Sequence, residues 1–343
     1  MSGGEVADRL PWGPGAATGV GSMPGTDVRE AVRVVVDALE ALPYLPELPA
    51  RGPGADLVGR GTALLVDLHA QLEPSGWRVA DRPGRDARRA RSWLRQDLDA
   101  LEEFTQGYEG ALKLSAVGPW TLAARVERRN GEAMLGDAGA CRDLTASLAE
   151  GVRDHLAEVR RRVPGARVVL QLDEPMLPAV LRGAVPTASG YRTHPAVDRA
   201  VVEQALRELV AAAGEAPVVV HCCAPRVPFA LLRRAGVAGI SFDAGLLTEG
   251  EDEAIGESVE GGTALFAGVV PGVGDGSDAL SDPGSSVEGI RSLWRRLGLS
   301  PGLLAESVVV TPSCGLAGAS PAYARAALAH CVRAARSLAD NPE

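Results

Sequence analysis

The sequence predicts an α/β protein, and the simplest arrangement that accommodates it is a single (β/α)8 TIM barrel. Eight apolar stretches alternate with amphipathic helical stretches along the 343 residues. The apolar stretches are continuous runs, as expected for parallel strands that are buried on both faces. No Pro/Gly/Ser-rich linker divides the chain, and one domain of this length is typical of a barrel. A doubly wound open α/β sheet is the alternative.

The first two strand candidates differ from the other six. Residues 17–22 form a short stretch that Met23-Pro24-Gly25 terminates, and residues 42–49 contain three prolines, so they predict only a weak strand. The remaining stretches are rich in Val, Leu, Ile and Ala. They comprise residues 111–117, 167–172, 218–223, 239–243, 263–270 and 307–315.

Amphipathic stretches between these strands predict the helices. Asp27 is the N-cap predicted for the first helix, which is expected to run to about Leu42. The basic cluster from Arg82 to Arg95 is interrupted by acids, so we expect a solvated helix face rather than a binding patch. The helices are predicted at residues 27–42, 55–71, 86–105, 138–162, 196–213, 227–235, 249–260, 285–297 and 321–338, with a turn-rich segment at 73–84.

Composition narrows the functional classes. The net charge of −9 and the scarcity of lysine argue against nucleic acid as a partner, because nucleic acid attracts concentrated basic surfaces. No stretch has the ~18 apolar residues of a membrane span and the N-terminus lacks a signal-peptide pattern, so we expect a cytoplasmic protein. Residues 1–15 are expected to be flexible and residues 16–343 to form one domain. The five cysteines suit thiols or metal ligands better than disulfides.

The ends of the predicted strands carry the candidate chemistry, because the carboxyl ends of barrel strands meet at one rim. The stretch 218–223 ends in His221, Cys222 and Cys223. Side chains alternate along a strand, so His221 and Cys223 share a face while Cys222 points away. Cys314 ends the last strand, which approaches this stretch only across a barrel mouth. One imidazole and two thiols form a donor set that suits Zn²⁺ better than Mg²⁺ or Ca²⁺.

Other strand-end residues leave interpretations open. Asp243 would supply an oxygen ligand or, alternatively, a carboxylate that orients His221. Asp173 would be a substrate-binding carboxylate or a salt-bridge partner in the rim. The glycine-rich segment 268–276 lacks a G-x-G-x-x-G pattern that opens a helix, so we expect a plain βα loop. The three cysteines that are expected to pack as small apolar side chains are Cys141, Cys222 and Cys331.

Five short motifs follow one another along the chain. They are Val20-Gly21-Ser22-Met23-Pro24, Gly118-Pro119-Trp120-Thr121, Asp173-Glu174-Pro175, His221-Cys222-Cys223 and Thr311-Pro312-Ser313-Cys314-Gly315-Leu316. Together they resemble the catalytic C-terminal barrel of cobalamin-independent methionine synthase, and the resemblance covers nearly the whole chain. A Gly-Ser-Met-Pro is a weak marker by itself, whereas the His-x-Cys and Cys-Gly-Leu motifs in this order are fairly specific.

The resemblance implies a zinc-dependent methyltransferase of methionine biosynthesis. A Zn²⁺ ion would bind the sulfur of L-homocysteine, whose methylation gives methionine. His221, Cys223 and Cys314 match the family's zinc ligands, and Asp243 stands where the family usually has glutamate, which is one methylene longer. A free alkyl thiol has a pKa of about 8.5, and zinc coordination removes its proton, so the sulfur becomes nucleophilic at neutral pH.

The resemblance also assigns residues to the amino acid substrate. Ser22 and the adjacent backbone match the segment that holds its carboxylate, and Asp173 matches the carboxylate that takes its ammonium group. Glu47 is the candidate for a second such carboxylate. The full-length enzymes have an additional N-terminal barrel that helps to bind folate, and nothing in this chain corresponds to it. Two methyl donors therefore stay open, a methylated corrinoid protein and methyl-tetrahydrofolate.

Two other classes of function also stay open. One is a different enzyme on the same scaffold, such as a corrinoid:coenzyme thiol methyltransferase or a uroporphyrinogen-decarboxylase-like barrel enzyme, which should not need zinc. The other is a non-enzymatic protein in which zinc is structural or stored and four protein ligands close the site. Binding of L-homocysteine separates these classes, because a closed structural site takes no small molecule.

Overall fold

The computed structural model describes residues 10–274 and 280–342, and within them the chain alternates strands and helices. The strands are β1 (His69–Glu73), β2 (Gly76–Ala80), β3 (Ala111–Val117), β4 (Val126–Glu127), β5 (Arg167–Asp173), β6 (Val218–Cys222), β7 (Gly239–Asp243), β8 (Ala264–Val270) and β9 (Val308–Pro312). Six of them form the main sheet, in the order β3-β5-β6-β7-β8-β9. Every neighbouring pair is parallel. The predicted α/β fold with a parallel sheet is confirmed, as a sheet curled into a half-barrel.

Helices connect and cover these strands. In chain order they are α1 (Val28–Ala38), α2 (Leu57–Leu64), α3 (Arg85–Phe104), α4 (Pro119–Arg125), α5 (Ala138–Arg162), α6 (Leu177–Leu181), α7 (Arg199–Ala213), α8 (Phe229–Arg234), α9 (Asp252–Glu260), α10 (Pro283–Ser286), α11 (Glu288–Leu297), α12 (Leu304–Ser307) and α13 (Pro321–Asp340). Asp27 caps α1 as predicted, since its side chain accepts from the N–H groups of Arg29 and Glu30. None of the described helices has the length and apolarity to cross a membrane.

The two weaker strand predictions, residues 17–22 and 42–49, do not form regular strands. They make isolated parallel bridges instead: Ala17 with Val310 of β9, Ser22 with Glu47, and Tyr44 with Lys113 of β3. The prolines at 43, 46 and 49 explain the short pairing, because a proline has no N–H to donate to a ladder. A fully closed TIM barrel of eight regular strands is therefore not what the described residues form.

One helix prediction was wrong. The helix predicted at residues 55–71 ends at Leu64, and His69–Glu73 pairs with Gly76–Ala80 as an antiparallel hairpin. Asp67 adopts a left-handed backbone conformation with φ of 56°, which no helix continues through. β4 extends this hairpin into a small separate sheet in the order β1-β2-β4.

The amino end of the main sheet is closed by the start of the described chain. Trp12 is buried and packs edge-on against Phe266, with ring centroids 5.1 Å apart. Of the segment 1–15 that was predicted to be flexible, residues 1–9 lie outside the described residues, whereas Trp12 is a packed core residue. Residues 275–276 of the predicted βα loop 268–276 also lie outside them.

Candidate metal centre

Three predicted ligands meet at the carboxyl edge of the main sheet. His221 lies in β6, Cys223 follows it, and Cys314 follows β9, and their donor atoms all lie within 4.8 Å of one another. The sulfur atoms of the two cysteines are 3.4 Å apart. β6 and β9 are separated by two strands, so in a flat sheet they would lie roughly 14 Å apart. The curl of the sheet is therefore what brings this group together.

The imidazole of His221 is held in one orientation and has one nitrogen to spare. Nδ1 lies 2.8 Å from Oγ of Ser241, the residue directly opposite on β7. Nε2 is buried and has no hydrogen-bond partner among the described residues. When Nδ1 donates to Ser241, Nε2 carries the lone pair that a metal ion takes. The residues present therefore fit a soft metal ion, with one imidazole and two sulfur donors.

The two thiols have opposite pKa shifts. The hydrogen bond between the sulfur atoms of Cys314 and Cys223, followed by the influence of His221, lowers the pKa of Cys314 to about 4. The same hydrogen bond, together with burial, raises the pKa of Cys223 above its ordinary value. The contact between the two sulfur atoms therefore favours the thiolate form of Cys314 and the thiol form of Cys223. Cys222 is fully buried on the opposite face of β6, and Cys141 and Cys331 are also buried.

Asp243, the predicted fourth ligand, is not part of this group. It ends β7 and caps the short turn that follows, with its Oδ1 accepting from the N–H of Gly245 at 2.9 Å. The alternative role for Asp243, as the acceptor that orients His221, is filled by Ser241, two residues earlier. The sequence analysis did not single out Ser241, although its alternation with Asp243 along β7 would have pointed to it.

The predicted substrate-binding carboxylates lie beside the group. Asp173 ends β5 directly opposite His221 in the strand register. Burial raises the pKa of Asp173, while His221 opposes this shift and Cys314 adds to it. Glu47 is buried too, and burial raises its pKa to about 7 although Arg60 acts in the opposite direction. Two buried acids with raised pKa values next to one another favour the arrival of a cation.

Ser22 lies against the turn that carries Cys314. The N–H of Leu316 donates to the backbone oxygen of Ser22 at 2.8 Å. A Cβ atom on Gly315 would lie only 2.0 Å from Oγ of Ser22, so glycine is required at this close approach. The structure therefore brings Ser22 next to the metal-ligand candidates, and backbone hydrogen bonds join it to the Glu47 segment.

An ion network that the sequence analysis missed surrounds Glu47. The Nε of Arg60 donates to Glu47 at 3.0 Å, and the same guanidinium pairs with the fully buried Asp97 of α3. Arg51 also pairs with Asp97, at 2.8 Å. These side chains lie on helices and turns whose sequence resembles any solvated face, so no local signal marked them.

The neighbour of Asp173 plays a different part. The carboxylate of Glu174 is fully buried and accepts hydrogen bonds from the N–H groups of Trp120 and Thr121, at 2.9 and 2.7 Å. The hydroxyl of Thr121 donates to it as well, at 2.6 Å. Glu174 therefore caps the start of α4 on the opposite face of the sheet, and burial raises its pKa to about 7.

Known proteins resemble this chain in family and in fold. The model of the family described as "Cobalamin-independent synthase, Catalytic domain" matches residues 15–337. No curated protein sequence matches the chain. A solved structure of a B12-independent methionine synthase from Shewanella sp. W3-18-1, in complex with selenomethionine, superposes with a TM-score of 0.62 at 12% identity, covering 95% of this chain and 98% of that one. At this identity the likeness bears on the fold alone.

A more distant structure, β-methylaspartase from Clostridium tetanomorphum, covers 98% of this chain and 60% of its own. Its TM-score of 0.43 at 11% identity is too low to carry an argument about this chain.

Proposed function

The chain belongs to the family of cobalamin-independent synthase catalytic domains, and from this premise we propose that it transfers a methyl group to the thiol of L-homocysteine to give methionine. One observation carries the proposal. A buried imidazole nitrogen, which has no partner in the described part of the chain, and two sulfur atoms converge at the sheet edge beside two buried carboxylates. The first group suits a metal and a thiol, and the second suits an ammonium group.

The metal in this proposal is Zn²⁺, held by His221, Cys223 and Cys314. Asp243 is proposed as an exchangeable fourth ligand, whose carboxylate would turn from the Gly245 N–H towards the ion and give way when the substrate sulfur binds. Bound zinc would supply a Lewis acid that lowers the pKa of the substrate thiol. Ser241 would keep Nε2 of His221 aimed at the ion through its contact with Nδ1.

The amino acid would be oriented by the remaining residues. Asp173 and Glu47 would accept its ammonium group, which relieves the two buried carboxylates of their mutual repulsion. Ser22 and its backbone would hold the carboxylate. Arg60 keeps Glu47 in place through the hydrogen bond at 3.0 Å. The deprotonated sulfur then attacks the methyl carbon, so an S–C bond forms while the donor keeps the electron pair of its broken bond to the methyl group.

The methyl donor is one of two. The family is described as cobalamin-independent, which favours methyl-tetrahydrofolate over a methylated corrinoid protein. Parallel assays with methyl-tetrahydrofolate and methylcobalamin, each with L-homocysteine, test both donors. Formation of methionine with neither donor, in protein that contains one zinc per chain, would contradict the proposed activity.

A structural zinc site is the competing function, and the geometry disfavours it. Structural zinc sites are closed by four protein donors, whereas catalytic sites keep a position open. Three donors converge here within residues 10–274 and 280–342, and Cys314 is exposed. Isothermal titration with L-homocysteine distinguishes the two, because a closed structural site should give no heat.

We also propose that the bridged segments complete a closed barrel and that residues 16–343 form one domain. Backbone hydrogen bonds from Thr18 to Val310, from Met23 to Glu47 and from Leu45 to Lys113 run from β9 around to β3. Hydrogen exchange tests this closure: the amides of Thr18 and Leu45 should be protected to a similar extent as those of the main sheet.

A further inference from the structure

The interior of the curled sheet contains the only lysine of the chain. Lys113 lies in the middle of β3 and is fully buried, among 34 arginines elsewhere in the sequence. Its ammonium group donates to Oε1 of Gln171 at 2.6 Å and to the backbone oxygen of Val20 at 2.9 Å. It also lies 5.2 Å from the ring centroid of Tyr44. The proposed mechanism does not yet use this group.

An apolar side chain of the same length would fill this position without the burial of a charge. Removal of an ammonium group from water disfavours its charged form. Burial accordingly lowers the pKa of Lys113 to about 7, while Asp173 and Glu47 act to raise it. The charge of Lys113 is therefore coupled to the two carboxylates that are proposed to bind the substrate ammonium.

The hydrogen bonds of Lys113 fix a neighbouring amide. A protonated lysine has donors only, so the oxygen of the Gln171 amide faces it. The amide nitrogen then points the other way, where it donates to Oδ1 of Asp173 at 2.7 Å and to the oxygen of Val20 at 2.7 Å. Gln171 and Asp173 are two residues apart on β5, so both side chains lie on the inner face of the sheet.

We propose that Lys113 is a positioning residue for amino-acid binding, which it serves by fixing Gln171 and, through Gln171, the carboxylate of Asp173. This inference rests on the proposed function. Without Lys113 the oxygen of the Gln171 amide would lose its donor, and only the nitrogen side would stay bonded, to Asp173 and to the oxygen of Val20, so the side chain would be held less firmly. The orientation that this contact imposes on Asp173 would weaken accordingly.

Because the chain has a single lysine, wild-type protein supplies a direct test. Protein labelled with ¹³C at the lysine ε-carbon should give one side-chain signal, from Lys113. Saturation of zinc-loaded protein with L-homocysteine should shift this signal, whereas 4-mercaptobutanoate, which has the thiol and carboxylate but no amino group, should leave it in place. A homocysteine complex that forms by isothermal titration without a shift would overturn the inference and leave the proposed function intact.

Variants provide the second arm. Lys113→Met and Gln171→Leu should each weaken L-homocysteine binding about tenfold or more, with the double variant no weaker than the single ones. The affinity for 4-mercaptobutanoate should change less than twofold, and KM should rise while kcat at saturation stays within twofold. Equal losses for both ligands would indicate a purely structural role. If a variant does not fold, the wild-type signal decides; if no homocysteine binds to wild type, the proposed function and this inference both fail.

Discussion

Two polar regions lie side by side in this molecule and differ in whether their charges are paired. In the thiol–imidazole group, which comprises His221, Cys223 and Cys314, a ring nitrogen has no partner among the described residues and two sulfurs face one another at 3.4 Å. In the buried ion network, two carboxylates are paired with two guanidinium groups. The members of that network are Glu47, Arg51, Arg60 and Asp97.

The difference separates supporting residues from reacting ones. Asp97 is paired with both Arg51 and Arg60 and needs no further ion, so its removal should harm the fold. Glu47 lies at the edge of the network with one guanidinium partner, and it is the member that is also proposed to take the substrate ammonium group. The thiol–imidazole group offers lone pairs to a cation. Substitution of one of its residues should therefore harm metal binding and function and leave the fold nearly unchanged. Four experiments test this division, in order of decreasing expected effect.

The largest effect is expected at the thiol–imidazole group. Cys314→Ser should lower methyl transfer to homocysteine roughly 1,000-fold, which is about 4 kcal/mol, because an alcohol is a poor zinc ligand. Zinc content by atomic absorption and product formation by mass spectrometry measure the loss. Cys222→Ala, next to Cys223 but on the opposite face of β6, is the matched control and should keep one zinc per chain. Full activity in Cys314→Ser would contradict the role of Cys314 as a metal ligand.

The next effect concerns stability. Asp97→Asn leaves Arg51 and Arg60 with an uncompensated buried charge, so the free energy of unfolding should fall by about 3 kcal/mol. Urea denaturation monitored by circular dichroism measures it. Glu103→Gln, which breaks the exposed pair with Arg29, is the control and should leave the midpoint nearly unchanged. If Asp97→Asn retained full stability, the network would have no supporting role.

Two adjacent carboxylates, Asp173 and Glu174, allow a sharper comparison at the end of β5. Asp173→Asn should weaken L-homocysteine binding about 30-fold, or about 2 kcal/mol, and leave zinc content unchanged. Glu174→Gln should instead lower the unfolding midpoint, because Glu174 caps α4, while affinity stays within a few-fold. Isothermal titration and thermal unfolding of both variants distinguish the roles. A loss of affinity in Glu174→Gln as large as that in Asp173→Asn would contradict the assignment.

The smallest expected effect is a pH dependence at the edge of the ion network. Burial, with Arg60 as the second cause, lowers the pKa of His155 to about 4 from its ordinary value of 6.5. The unfolded chain therefore binds a proton between these values and the folded chain does not, so stability falls as the pH decreases. Between pH 7 and pH 5.5 the part of the change that is due to His155 should be a loss of about 1 kcal/mol, measured as the difference between wild type and His155→Gln in urea denaturation. The free energy of unfolding of His155→Gln should lack this contribution. A pH dependence equal to that of wild type would contradict the role of His155.

The comparison also explains how much of the molecule could be predicted from its sequence. An apolar run predicts a strand and a long amphipathic run predicts a helix. Both boundaries of β3, β7 and α5 were predicted correctly in this way. The thiol–imidazole group followed from the alternation of side chains in β6 and from the common direction of parallel strands. Asp243 was placed at the right strand end, but a turn that begins at that residue engages its carboxylate.

Features that depend on contacts between distant residues could not be predicted. Arg60 and Asp97 occupy helices in which charged residues usually face solvent, and only the packing of α2 against α3 buries them together. The hairpin of β1 and β2 was not predicted because apolar residues recur on both sides of Asp67, which suggested one continuous helix. The left-handed backbone of Asp67 excludes a helix there. Lys113 stood in an apolar strand without being recognised as unusual, although it is the single lysine in the chain.

That single lysine has a practical consequence for anyone who handles the protein. Amine-reactive reagents reach lysine side chains at solvent-exposed surfaces, and the folded chain presents none there, since Lys113 is fully buried. Under native conditions acylation should therefore stop at the α-amino group. A second acyl group in an intact-mass spectrum would show that Lys113 had become exposed. The fraction of doubly acylated protein therefore measures the fraction of molecules that have unfolded.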